Sequence, residues 1–169
     1  LGAARVPDTK DFTAGSALPS CVLGKTGVKL PILGFGGAAL PQKWGNARST
    51  KEREKLVRHA YDKGVRYFDT AISYTYADSQ AIIGNALKDV REKVFITTKV
   101  DFWNTKRDDG RFTRVPKGEA LRQIKMNLRE LQSEYIAATL LHGTPGVEQL
   151  TVEQAMEVHS ELVEARKQG

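Results

Sequence analysis

Asp69, Lys99 and His142 each stand where a predicted strand runs out, and Tyr74 lies in the loop after the first of them. These four residue types suit one kind of chemistry. A tyrosine phenol has an ordinary pKa of about 10, too high for efficient acid work near neutrality. A lysine cation beside it favours the phenolate and makes the phenol a better proton donor. A buried lysine needs a carboxylate to stay charged, and Asp69 can supply one. A histidine at the same mouth can hydrogen-bond a substrate carbonyl. Together the four polarise and protonate a C=O. None of them carries a hydride, so a reduction needs a cofactor. Singly, each has a plainer reading: a turn cap, a snorkelling lysine, a packing tyrosine, a structural histidine. The matched positions at successive strand ends favour chemistry over those readings.

Side chains alternate along a strand. Val65, Tyr67 and Asp69 therefore share one face, as do Phe95, Thr97 and Lys99, and Ile136, Ala138, Leu140 and His142. The three polar residues can point to one interior at the C-terminal end of a sheet, where α/β proteins place their chemistry.

The elements that must position them are legible as a repeat. Two apolar patches around Gly24-Lys25-Thr26-Gly27 predict a β-hairpin, and residues 31–37 a first buried strand. A helix over 49–63 opens on a capping box, Ser49 with Glu52, buries Leu56, Val57, Ala60 and Tyr61, and stops at Gly64. Strand 65–70, helix 79–88 with Ile82, Ile83, Ala86 and Leu87 inward, and strand 94–100 follow. After a polar loop, 101–116, come helix 117–131 with Leu121, Ile124, Leu128 and Leu131 at spacings of three and four, strand 136–141, and a helix from Thr151. Strict alternation predicts a parallel sheet. A full (β/α)8 barrel takes about 250 residues, and four units make half of one. The expected fold is α/β: the N-terminal half of a (β/α)8 TIM barrel, four parallel βα units preceded by the hairpin. Residues 1–20 are expected to be an extended or disordered arm, and 21–169 a partial barrel domain cut before its fifth strand.

Composition narrows the class. The 169 residues suffice for a real core, and 40% hydrophobic with 27% charged is ordinary for a globular chain. The net charge of +6 is scattered among acids, with no RNA-binding motif and no basic tract interleaved with aromatics, so no nucleic-acid partner is expected. No apolar run is long enough for a membrane span, so no membrane partner is expected. Cys21 is the single cysteine, which fits a reducing, cytoplasmic setting. The first residue is Leu1 rather than Met, which leaves an upstream export signal open.

The residues resemble the N-terminal half of the aldo-keto reductases. Leu23-Gly24-Lys25-Thr26-Gly27-Val28 to Leu33-Gly34-Phe35-Gly36-Gly37 looks like that family's opening. Phe68-Asp69-Thr70-Ala71 with Tyr74, and Ser79 leading towards Ile83-Gly84, looks like its best-known signature. Ile96-Thr97-Thr98-Lys99 and Leu140-Leu141-His142 resemble its lysine and histidine strands. The resemblance implies a barrel that reduces a small aldehyde or ketone with NADPH. Tyr74 would be the proton donor, Lys99 and Asp69 would tune it, and His142 would orient the carbonyl. Gly36, Gly37 and Ala38, with Asp69, would border the nicotinamide. In the long polar loop, Trp103 and Phe102 are candidates for an apolar wall of the substrate pocket, with surface packing as the alternative. In this family the cofactor's phosphate and adenosine contacts come mostly from the other half of the barrel, so NAD stays open beside NADP.

The sequence departs from the family at Thr75, where a glycine commonly follows the tyrosine, and at Gln80, where a glutamate commonly follows the serine. Half a barrel leaves two open sheet edges, which invites self-association. The chain is therefore expected to be inactive alone, as part of a longer reductase. Two other readings compete. Gly34-Phe35-Gly36-Gly37-Ala38-Ala39 formally fits the dinucleotide fingerprint of a Rossmann dehydrogenase, which would need a helix opening at the glycines. A non-catalytic binding or regulatory subunit on the same fold would keep the four residues as a relic.

Overall fold

The computed structural model describes residues 11–72, 77–101, 116–142 and 150–168. It opens on an antiparallel hairpin, β1 (Ser20–Val22) with β2 (Lys29–Pro31). Thr26 builds the turn: its hydroxyl donates to Leu23 O and accepts from the Val28 N–H. Four parallel strands follow in sequential order: β3 (Gly34–Gly36), β4 (Tyr67–Asp69), β5 (Phe95–Asp101) and β6 (Ala138–His142). A helix succeeds each: α1 (Thr50–Asp62), α2 (Ser79–Leu87), α3 (Glu119–Glu130) and α4 (Val152–Gln168). This is the expected hairpin and four βα units of a partial (β/α)8 barrel.

α1 begins as the sequence predicts. Ser49 Oγ accepts from the Glu52 N–H at 3.4 Å, and the Ser49 N–H donates to Glu52 Oε2 at 2.9 Å. Gly64 ends it at φ +99°, a conformation that side chains resist. The buried stripe differs from the expected one. Val57 is buried, but Leu56 is 42% exposed and Arg53 is 1% exposed. Arg53 is drawn inward by partners distant in sequence: its Nη1 donates to Asp78 Oδ2 at 2.8 Å and to Leu40 O at 3.1 Å. The helix starts at Thr50, and Gly37–Ala39 forms a short 3-10 turn. The dinucleotide fingerprint requires a helix opening at its glycines, so the Rossmann reading fails here.

The first strand is also shorter and barer than expected. Ile32 and Leu33 are 63% and 54% exposed, outside β3. β3 lies at the outer side of the described sheet with one strand neighbour, β4, so its apolar letters are not covered on both sides.

Strand parity divides the core in two. Phe68 and Ile96 face outward and pack with Val57, Ile82, Ile83, Leu87 and Leu131. Tyr67 and Phe95 face inward and meet Phe12 and Leu30. The Phe12 ring stands edge-on to Phe95, with centroids 5.7 Å apart. Its N–H donates to Lys29 O. Of the expected extended or disordered arm, residues 11–19 are thus docked, and with the hairpin they floor the inner face. A third cluster, Val100, Ala120, Leu150 and Val158, joins β5, α3 and α4. The chain before β6 is pinned by Tyr135, whose hydroxyl donates to Arg91 O at 2.8 Å. Burial pushes that phenol's pKa up, which keeps it a neutral donor.

Candidate active site

The register places the polar residues in ascending rows on the inner face. Gly36, Asp69 and Thr97 form one row across β3, β4 and β5, and Thr97 continues it to Ala138 on β6. Lys99 stands opposite Leu140 in the next row, and Asp101 opposite His142 in the last. Below them lies the aromatic floor of Tyr67 and Phe95, with centroids 5.9 Å apart. A polar layer therefore sits above an apolar one at the C-terminal end of the sheet.

Lys99 is the most tightly held member. Its Nζ donates to Asp69 Oδ1 at 2.9 Å, to Asp69 Oδ2 at 2.8 Å and to Thr70 O at 2.6 Å. The lysine side chain is 10% exposed and the aspartate 31%. The ammonium is thus removed from water but compensated by a carboxylate and a carbonyl, the condition for a buried lysine to remain charged. His142 follows on the same face, its Nδ1 3.6 Å from Asp101 Oδ2. The sequence expectation brought Asp69, Lys99 and His142 to one face, and the structure does so. Tyr74 and Trp103, with Phe102 and Thr75, lie outside the described residues.

Sequence reasoning missed how β5 is held. β4 pairs with β5 only as far as Thr97. The carbonyls of alternate β5 residues then take other donors. The Thr70 N–H donates to Thr97 O, Asn127 Nδ2 to Lys99 O at 3.0 Å, and Gln123 Nε2 to Asp101 O at 2.8 Å. Gln123 Oε1 also accepts the Asp101 N–H at 2.6 Å. Two buried amides of α3 thereby replace the missing strand partner. Gln80, the departure from the family pattern, completes the set. Its Oε1 accepts from Thr98 Oγ1 at 2.5 Å, and its Nε2 donates to Asn127 Oδ1 at 3.0 Å and to Glu130 Oε2 at 2.5 Å. A glutamate here would set a second carboxylate against Glu130; the amide supplies a donor instead. The signal that could have found these residues is their spacing: Gln123 and Asn127, four apart, share a helix face with the apolar stripe.

Three of the four residues named for the nicotinamide border, Gly36, Gly37 and Ala38, differ in their surroundings. A Cβ on Gly37 would lie 2.6 Å from Ser79 Oγ and 2.8 Å from Asp69 O, so this glycine is required by packing. Ser79 Oγ donates to Gly37 O at 2.9 Å and lies 2.9 Å from Thr70 Oγ1, which ties α2 to the ends of β3 and β4. Gly37→Ala is expected to destabilise the protein by about 1–3 kcal/mol through this overpacking. That lowers the thermal midpoint by roughly 3–10 °C, read by circular dichroism. An unchanged midpoint would show that the contact relaxes freely. Gly36, by contrast, has nothing within 4 Å of where a Cβ would stand, and its row neighbour is Asp69. Ala38 is exposed in the 3-10 turn that follows. Gly36 therefore leaves open space beside the Lys99–Asp69 pair. Among the described residues no group of acids, histidines and cysteines could hold a metal ion, and no helix is long and apolar enough to cross a membrane.

This architecture defines a class: part of a (β/α)8 barrel enzyme, with a lysine–carboxylate pair and a histidine at the C-terminal ends of its strands. The chain belongs to the Aldo/keto reductase family, whose sequence model matches residues 32–169. It is 26% identical over 148 residues to aldo-keto reductase YhdN of Bacillus subtilis, covering 86% of this chain and 43% of that protein. It is 33% identical over 133 residues to versiconal hemiacetal acetate reductase of Aspergillus parasiticus, covering 72% of this chain and 38% of that protein. Its fold matches the structure of a Bombyx mori aldo-keto reductase in complex with NADP at a TM-score of 0.64. The sequences there are 23% identical, and the match covers 89% of this chain and 47% of the other. The chain thus spans less than half the length of each of these three proteins.

Proposed function

We propose that the complete protein reduces a small aldehyde or ketone to an alcohol with NADPH, and that Tyr74 donates the proton. The observation that carries this reading is Lys99 Nζ held between both Asp69 oxygens and Thr70 O at the strand ends of an aldo/keto reductase chain. Tyr74 follows Thr70 by four residues. The tether keeps its Cα within about 14 Å of that anchor, a reach that allows the phenol to approach the lysine cation. The cation favours the phenolate that forms as the proton leaves, and Asp69 holds the lysine in place through both carboxylate oxygens. His142 hydrogen-bonds the carbonyl oxygen, and Trp103 lines the substrate pocket. NADPH supplies the hydride when bound. Gly36, Gly37, Ala38 and Asp69 would border its nicotinamide, with open space at Gly36 in the row that holds Asp69. The Bombyx mori aldo-keto reductase, solved in complex with NADP, supports NADP as the cofactor.

The activity belongs to the complete protein. β3 and β6 are the outer strands of the described sheet, and Leu140 on the inner face is 47% exposed. The rest of a barrel, or a second copy of the chain, would cover these surfaces. The test follows nicotinamide absorbance with purified full-length protein, NADPH and a panel of short aldehydes and ketones. Carbonyl-dependent oxidation of NADPH is expected, and the 169-residue chain alone should show none. Full-length protein that binds NADPH without turning over any carbonyl would favour a binding subunit.

A further inference from the structure

The end of β5 carries a carboxylate that the chemistry above does not use. Asp101 is 6% exposed, is the last residue of β5, and pairs in register with His142 on β6. Its Oδ2 lies 3.6 Å from His142 Nδ1, with side chains 3% and 21% exposed. The two residues share the inner face with Lys99 and Asp69.

This placement is built by the surrounding fold. Gln123, itself 2% exposed, holds the Asp101 backbone through both its N–H and its C=O, as a neighbouring strand would. Asn127, fully buried, holds Lys99 O two residues earlier. The two α3 amides carry β5 past the point where β4 stops pairing, and the residue they carry it to is Asp101. An apolar residue there would continue the strand equally well, because the clamp grips backbone. A carboxylate in so buried a position costs free energy unless it serves a partner, and the cross-strand neighbour it faces is an imidazole nitrogen.

A carboxylate beside one imidazole nitrogen decides which nitrogen carries the proton and how the ring is turned. We propose that Asp101 is a positioning residue for His142, accepting from Nδ1–H so that the imidazole meets the substrate through Nε2. As a cation, the ring then donates from Nε2 to a carbonyl oxygen. As the neutral Nδ1–H form, it accepts at Nε2 from the hydroxyl of an alcohol. One ring so held serves both ends of a carbonyl–alcohol interconversion. The 3.6 Å separation is longer than a hydrogen bond, and catalytic contacts of this kind commonly tighten when substrate binds. Other acids among the described residues near the same strand have partners of their own. Asp69 is engaged by Lys99, and Glu119 by Arg122 and Gln123. Among the described residues, Asp101 lies within ion-pair distance of the histidine.

The consequence for catalysis rests on the reductase reading; the protonation pattern of the ring does not. The test is nitrogen-15 NMR of the histidine side chains in the full-length protein, with His142 assigned through His142→Gln. The pH is raised until the ring is neutral. The proton is expected on Nδ1 in the wild type and mainly on Nε2, the form favoured in water, in Asp101→Ala. Should the alanine variant not fold, Asp101→Asn keeps the volume and is expected to shift the population the same way. In turnover, Asp101→Asn should lower kcat by about ten- to a hundred-fold while the KM for NADPH changes less than about two-fold. A wild-type ring protonated on Nε2, or an Nδ1–H form that survives Asp101→Ala, would overturn the assignment. An Nδ1–H ring lost in the variant, in a protein without turnover, would uphold the pair and remove the reductase reading instead.

Discussion

Replacing Lys99 with methionine should lower kcat of the complete reductase by about a thousand-fold or more. Methionine keeps an unbranched apolar stem of similar length and removes the ammonium. What is lost is the charge that makes a phenol useful: with an ordinary pKa of about 10, tyrosine gives up its proton poorly near neutrality unless a cation stabilises the phenolate. Positioned proton transfer is worth about a hundred- to ten-thousand-fold, which sets the size of the effect. The structural cost should be smaller. The substitution leaves Asp69 and Thr70 O without the Nζ donor, but the Asp69 side chain is 31% exposed and water can replace part of what is lost. After that screening the loss is about 1–2 kcal/mol, a midpoint lower by roughly 2–8 °C. Lys99→Arg should recover little, because a planar guanidinium cannot place three converging donors where one ammonium does. Tyr74→Phe should match Lys99→Met within about ten-fold, and the double variant should be hardly worse than either, as expected of residues acting as a unit. Steady-state kinetics on folded variants checks this. A Lys99→Met enzyme retaining a tenth of wild-type kcat would sink the role given to the lysine.

The inner face was legible in the sequence because alternation is a local rule. Asp69, Lys99 and His142 fall on one parity, and no tertiary information is needed to see it. Asp101 obeys the same rule but was lost to a boundary: a strand drawn to end at Val100 stops one residue short. What holds β5 to that length is pairing with β6 and an amide on a helix 22 residues later in the chain, neither of which a local pattern contains. Arg53 and Leu56 exchanged places for the same reason. Helical periodicity assigns a leucine inward, but Asp78 and Leu40 O supply the arginine with partners 25 and 13 residues away. The first strand shows the complementary error. An apolar run marks what could be buried, while coverage depends on neighbours, and Ile32 and Leu33 lack it among the described residues. The capping box of α1 and the stop at Gly64 were readable because the groups they satisfy lie within a few residues.

The largest stability effect is expected at Asn127, which no functional motif marks. Asn127→Leu keeps the branch at Cγ but puts two larger methyl groups in a site that is fully buried, so some overpacking adds to the loss. Its hydrogen bonds cannot be kept. Lys99 O loses its donor from Nδ2, and Gln80 Nε2 loses one of its two acceptors. A buried polar group left unpaired costs about 1–3 kcal/mol, so the change should total about 3 kcal/mol and lower the midpoint by roughly 6–12 °C. Activity should fall as well, because the carbonyl released belongs to the lysine that the chemistry depends on. Asn127→Asp separates the two effects. It keeps an acceptor for Gln80 but removes the donor to Lys99 O, so it should share the loss in kcat even where its stability is partly retained. Thermal melts and kinetics on both variants decide the matter. If Asn127→Leu melts within about 2 °C of wild type, the α3 amides are not what holds β5, and Lys99 and Asp101 must owe their places to the sheet alone.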